Sequence, residues 1–203
     1  MLRDIYVYFE YASLIVALLL YKNYKSYSFY KYFVLYLLNI VIVSIIAHLF
    51  FVKKSSFELF NIYTFFEFNL VALIYFNLIK ENVTKKLIIK LAFVFNCIYF
   101  ISFYFVELKE YTVSIEGVFN SVFIILFFRE LLNSEKVLNY KKLLTFWVSV
   151  GFLLFYLTSI PFFTLLYFKL FNTKSMHYIL YSLIIVFHLC FIYGLVTCRK
   201  MKV

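Results

Sequence analysis

Glycine and proline are nearly missing from this chain, which has three of the first and one of the second in 203 residues. The scattered Gly117, Gly151 and Gly194 cannot form a phosphate-cradling loop. A single Pro161 does not supply the paired breaks that mark the discontinuous helices of secondary transporters. Three cysteines, Cys97, Cys190 and Cys198, stand apart with no CxxC spacing, so neither a disulfide framework nor a zinc site is written in them. Charge is sparse, at 15% of residues, and lysine plus arginine outnumber aspartate plus glutamate by 20 to 10. There is no GxSxG elbow, HExxH, HxxxH, P-loop or GxGxxG. Covalent chemistry therefore has no motif to rest on, and no cofactor is implied.

What fills the chain is apolar. A hydrophobic fraction of 66% and a mean hydropathy of +0.94 place it far outside soluble domains. A membrane-crossing helix needs about 20 mostly apolar residues to cover about 30 Å of hydrocarbon. Seven runs approach that length, roughly 5 to 21, 32 to 52, 57 to 79, 87 to 106, 114 to 132, 143 to 168 and 177 to 198. The stretches between them are short and polar, "KNYKSYSFYK" (22 to 31) and "NSEKVLNYKK" (133 to 142) among them. The expectation is an all-α, polytopic membrane bundle of seven transmembrane helices, one domain over residues 1-203 with no soluble part. The first run lacks a basic leader and a small-residue cleavage site, so it reads as a retained helix. The 25% aromatic content reads as the codon habit of an AT-rich genome rather than as a binding surface.

Orientation follows from the bias of basic residues toward the cytoplasm. Lys22, Lys25, Lys31, Lys80, Lys85, Lys86, Lys90, Arg129, Lys136, Lys141, Lys142, Arg199, Lys200 and Lys202 fall on one side of the runs. Arg3, Lys53, Lys54, Lys109, Lys169 and Lys174 fall on the other. This predicts an N-terminus outside and a C-terminus inside a cytoplasmic membrane. The formal charge of +10 is then a fringe held against anionic headgroups of the lipid bilayer. The same fringe suits a cytoplasmic protein partner, whereas a nucleic-acid partner is not needed to explain it. Tyr21, Tyr24, Tyr27, Tyr30 and Tyr32 cluster at that boundary as an aromatic belt does.

With that orientation, depth can be counted back from the inner ends of the first, third, fifth and seventh runs. Glu10 precedes Lys22 by twelve residues, Glu67 precedes Lys80 by thirteen and Glu116 precedes Arg129 by thirteen. At 1.5 Å per residue all three carboxylates lie about 18 to 20 Å above the inner edge, and His188, eleven before Arg199, about 16 Å above it. Asn96 reaches the same level from a helix running the other way, with Asn39, Asn69 and Asn120 within a few turns. Pro161 is expected to kink the sixth run, with Thr158 and Ser159 bonding the backbone it frees. No lysine or arginine shares this depth, and an ionised carboxylate in hydrocarbon costs several kcal/mol unless it finds water or a partner. Glu10, Glu67, Glu116, His188 and Asn96 are therefore expected to form a buried polar layer.

That layer can be read in two ways. Glu67 is either a functional ionisable group or a hydrogen-bonded packing residue that specifies helix association. Glu10 and Glu116 also fit a solvated outer vestibule. His188 reads as a neutral imidazole bonded to a neighbouring helix. Glu67, Glu116 and His188 offer ligand types suited to a divalent ion, but no local spacing fixes such a site, and the metal stays open. No GxxxG marks a dimer face, although a homo-oligomer remains compatible with the sequence.

At "NIYTFFEF" (61 to 68) and "FWVSVGFLLFY" (146 to 156) the chain resembles a diffuse set of seven-helix membrane proteins common in Bacteroidetes. In these an Asn-x-Tyr-x-x-x-Glu pattern opens the third helix, and an aromatic "FW" followed by a glycine opens the sixth. The resemblance implies a seven-helix bundle and marks Asn61, Tyr63 and Glu67, with Trp147 and Gly151 as counterparts; it carries no activity with it. Proteins of this build are also similar to membrane sensor modules and to small multi-span accessory proteins that accompany RNA-targeting CRISPR effectors. By contrast, the paired histidines of ceramidase-type hydrolases are missing from the last run, and so is the lysine that an opsin needs there.

The functional expectation is a membrane sensor or regulatory accessory protein without covalent chemistry. Its Glu/His layer binds a proton, cation or small amphiphile, supported by Asn61, Tyr63, Asn69, Asn120 and Trp147, and its basic face meets a partner. The alternative is an oligomeric channel or membrane-perturbing effector whose carboxylates line a cation path. A third reading is an intramembrane metal-dependent hydrolase.

Overall fold

The computed structural model describes residues 2–50, 57–167 and 173–198. With so few glycines and one proline, little interrupts the backbone ladder from each N–H to the carbonyl four residues back. The described residues are helical almost throughout and contain no strand. Seven long helices form: α1 (Leu2–Leu19), α3 (Tyr30–Phe50), α4 (Phe57–Leu78), α5 (Asn82–Ser102), α6 (Val106–Leu132), α7 (Leu144–Tyr167) and α8 (Thr173–Thr197). A single turn, α2 (Tyr21–Tyr24), lies between α1 and α3, and a 3-10 segment spans Glu135–Lys142 between α6 and α7.

Helix α6 begins at Val106, eight residues before the apolar run did, and α5 begins at Asn82 rather than 87. Hydropathy marks where a helix is apolar, whereas helix formation tolerates the polar residues Glu107, Lys109, Lys85 and Lys86 equally well. Four helices hold stretches long and apolar enough to cross a membrane, at Tyr30–Leu49, Tyr111–Leu132, Leu144–Leu165 and His177–Thr197. A shorter apolar stretch, Ile5–Leu19, lies in α1.

Helices α1, α3, α4, α6, α7 and α8 pack in that order into a closed ring, α8 returning to α1. Helix α5 lies in the groove between α4 and α6. Aromatic rings fill the interior where a glycine-rich bundle would bring its backbones together. Phe68 stacks on Phe95 at 3.8 Å, Phe33 meets Phe191 edge-on at 5.0 Å, and Tyr36 meets Phe152 at 5.0 Å. Helices α7 and α8 approach closely at two glycines, Gly151 facing the Phe187 carbonyl and Gly194 facing Trp147.

One end of the ring is tied by polar contacts between its connections. The Glu130 carboxylate of α6 accepts the Lys80 N–H at 2.8 Å and the Glu81 N–H at 3.4 Å, satisfying donors that a helix start leaves open. Tyr24 donates to the Leu195 carbonyl at 2.9 Å and to that of Cys198 at the end of α8. Burial, with smaller contributions from Cys198 and Tyr27, pushes the Tyr24 phenol up to about 12, so it remains a donor at any physiological pH. The Trp147 indole donates to the Lys141 carbonyl at 3.0 Å. Lys22, Lys25, Lys80, Lys136, Lys141 and Lys142 lie in these connections. Arg3, Lys53, Lys54, Lys109, Lys169 and Lys174, with Arg199, Lys200 and Lys202, lie outside the residues whose side chains are described.

Helix α7 runs unbroken through Pro161. Thr158 donates to the Leu154 and Phe155 carbonyls at 2.5 and 3.1 Å, and Ser159 to Tyr156 O at 2.9 Å. Neither reaches the Leu157 carbonyl that the proline frees, which corrects the expected repair. A helical hydroxyl bonds three or four residues back, and from 158 and 159 that reach ends at 156.

Candidate functional site

Four of the five expected layer residues are buried: Glu10, Glu67, Glu116 and His188 keep 6, 5, 2 and 1% of their surface. Glu67 sits at the middle of the group. Tyr36 from α3 and Tyr156 from α7 both donate to its Oε1, at 3.1 and 2.8 Å, and Tyr63, one turn earlier on α4, bonds the same carboxyl. Three phenols thus close on one carboxyl group from three helices. Glu116 of α6 lies near enough to Glu67 for the two to interact electrostatically, and its Oε1 accepts the Asn120 amide at 3.2 Å. Among the described residues no cation is a partner of either carboxyl.

Glu10 takes a different partner. Ser44 of α3 donates to its Oε2 at 2.6 Å. One turn on, Ser13 donates to the Glu10 carbonyl and lies 2.8 Å from Nδ1 of His188, tying α1 to α8. Which of Ser13 Oγ and Nδ1 donates in this contact is set by the imidazole tautomer. The contact has the spacing of a nucleophile and its base. Ser13 is fully buried, however, and the mid-helix amides around it are committed to the helix ladder, which leaves no donors for an oxyanion. The link is a helix clamp.

The other expected residues have separate places. Asn96 is half-buried and faces Asn69 across α4 and α5. Each amide donates to the other's oxygen at 3.1 Å and to a carbonyl one turn back. It shares the depth of the carboxylates but turns to a different helix face. Replacing Asn69 with leucine strands the Asn96 amide and is expected to cost about 1–2 kcal/mol. The double variant Asn69→Leu/Asn96→Leu should recover most of that loss, as read by unfolding in detergent. Asn61 marks a second polar level, accepting from Thr112 at 3.1 Å on its side chain and from Tyr99 at 3.1 Å on its carbonyl. Trp147 belongs to the tied end of the bundle, beside Tyr193 at 4.5 Å.

Sequence reasoning passed over Tyr36, Tyr156, Ser13 and Ser44. Tyrosine is too frequent here, at 20 residues, for any one to stand out. Tyr156 closes the quoted "FWVSVGFLLFY", but only the periodicity of all seven helices together would have turned it toward Glu67. Among the described residues no three His, Cys, Asp or Glu side chains are placed to hold a metal ion. Of Glu67, Glu116 and His188, the two carboxyl groups lie together, whereas His188 bonds to Ser13.

The layer offers carboxyl, phenol and amide oxygens as its polar groups. Among the described residues, Asn39 Nδ2, Asn120 Oδ1 and Ser121 Oγ are buried without a hydrogen-bond partner. No protein-family model, curated protein or solved structure matches this chain, so its function has to be read from its own residues.

Proposed function

We propose that the chain is a multi-pass protein of the cytoplasmic membrane, crossing it seven times with its N-terminus out and its C-terminus in. It acts as a sensor or regulatory accessory protein without covalent chemistry. Four helices have the length and apolarity to cross. Helices α4 and α5 are less apolar for an evident reason: α4 carries Asn61, Thr64 and Glu67 into the interior, and Lys85, Lys86 and Lys90 lie along the first turns of α5.

One observation carries the functional reading, the convergence of Tyr36, Tyr63 and Tyr156 on the Glu67 carboxyl. A proton or cation arriving at Glu67 alters hydrogen bonds made by α3, α4 and α7 at once. Charge at a single point is thereby converted into helix position. The connections at the basic end move with those helices and present a changed face to a partner. The channel alternative has less support, because the carboxylates are enclosed within a single chain.

The test is Glu67→Gln, whose amide oxygen still accepts both tyrosine bonds but which neither ionises nor balances a cation. In proteoliposomes, the fluorescence of Trp147, the one tryptophan, is followed together with tryptic cleavage at the basic end, while pH or sodium is changed. The wild type is expected to respond and Glu67→Gln to stay silent, with stability held within about 1 kcal/mol. An identical response from both proteins overturns the proposal.

A further inference from the structure

Between the last turns of α6, the 3-10 segment and the first turn of α7 runs a shallow groove of about 260 Å³, lined by Phe128, Leu131, Leu132, Val137, Tyr140 and Phe146. Every lining residue is apolar or aromatic. At about 30 Å³ per group, the share of a water molecule, the groove has room for roughly eight methylenes. It lies where two of the candidate spans, Tyr111–Leu132 and Leu144–Leu165, leave their apolar stretches, which is the depth of lipid headgroups.

The rim of the groove carries positive charge. The Lys141 ammonium lies 5.9 Å from the centre of the Tyr140 ring, and Lys136 and Lys142 flank the lining residues in sequence with exposed side chains. Glu135, the exposed acid that opens the 3-10 segment beside Lys136, offsets one of these three charges and leaves the rim net positive, while Glu130 on α6 is occupied by the Lys80 and Glu81 amides. The rim is also held in place: Trp147 donates to the Lys141 carbonyl at 3.0 Å, and the Cys198 thiol approaches the same oxygen at 3.8 Å.

From this juxtaposition of an apolar groove and an anchored basic rim, we propose that the 3-10 corner binds an anionic phospholipid, its acyl chain along the groove and its phosphate at Lys136, Lys141 and Lys142. Charge complementarity selects this occupant. A zwitterionic lipid fills the groove equally well but gives the three ammonium groups no net partner. The site does not depend on the polar layer and rests only on α6 and α7 crossing the membrane.

Trp147 serves as the reporter, being the one tryptophan and lying beside Phe146 at 5.4 Å. The full chain is placed in phosphatidylcholine nanodiscs containing a small fraction of lipid with brominated acyl chains, either phosphatidylglycerol or phosphatidylcholine. The brominated phosphatidylglycerol is expected to quench as if enriched on the order of tenfold at the corner, given two or three lysines acting on one headgroup. Lys136→Gln/Lys141→Gln/Lys142→Gln should bring the two lipids level. Lys25→Gln/Lys86→Gln/Lys90→Gln removes the same charge from exposed positions elsewhere and should keep the preference. Equal quenching by the two lipids in the wild type overturns the site. So does a preference that survives the first triple variant, or one lost equally in both, which would mean a diffuse basic fringe.

Discussion

Replacing Glu67 with leucine is expected to lower stability by about 2–5 kcal/mol, the larger of the two strongest effects we anticipate. The cause is not the lost charge. Tyr36 and Tyr156 are fully buried, and both hydroxyls use the one carboxylate oxygen as acceptor. Without it, these two fully buried donors are stranded at about 1–3 kcal/mol each, partly offset by the apolar contacts of leucine, while Tyr63, only half-buried, loses its bond to the carboxyl at smaller cost. The diagnostic experiment adds Tyr36→Phe and Tyr156→Phe to Glu67→Leu. Removing both sides of a buried hydrogen bond is far milder than removing one, so the triple variant should unfold within about 1–2 kcal/mol of wild type. Denaturant titration in micelles measures the three proteins side by side. A triple variant no more stable than Glu67→Leu would mean that the tyrosines are not what Glu67 supports.

Gly194→Ala should be the most damaging of the conservative glycine substitutions, at about 1–3 kcal/mol. An added Cβ there lies 2.7 Å from the Trp147 Cβ and 3.3 Å from Leu144 Cδ1. Rotating the tryptophan does not move its own Cβ, so α7 and α8 must part. Gly151→Ala ranks next, because its new methyl meets the Phe187 carbonyl at 3.2 Å as well as Phe191 at 3.0 Å. Gly117→Ala should be mildest, its nearest neighbour at 3.0 Å being the Ile160 side chain, which can turn aside. Thermal unfolding gives the order, and a change in Trp147 emission in Gly194→Ala locates the strain. An order with Gly117→Ala worst would contradict this packing. No GxxxG spacing signals the approach, since the two glycines lie on different helices, Gly151 of α7 facing α8 and Gly194 of α8 facing α7.

How much of the site was legible depended on the kind of residue. Glu67 stood out because an acid inside an apolar run is costly and therefore noticeable. Counting 1.5 Å per residue from the basic ends also brought Glu10, Glu116 and His188 to related depths, and all of them are buried. The same counting placed Asn96 in their company, where depth without direction misled: Asn96 pairs with Asn69 on the α4–α5 seam. Ser13 and Ser44, small and common, carried no signal at all, although one clamps His188 and the other holds Glu10.

The helical class, the long apolar runs and the accumulation of lysines between certain runs were determined by the sequence alone, because each is a sum over neighbouring residues and needs no partner. Which hydroxyl meets which carboxylate was decided only in the tertiary structure. Helices such as α3, α4, α6 and α7 are apolar around most of their circumference, so their sequences mark no inward face. The rotation of each about its axis was set by how the rings of Phe33, Phe68, Phe152 and Phe191 fit together. That rotation is what carried Tyr36 and Tyr156 to Glu67 and turned Asn96 away.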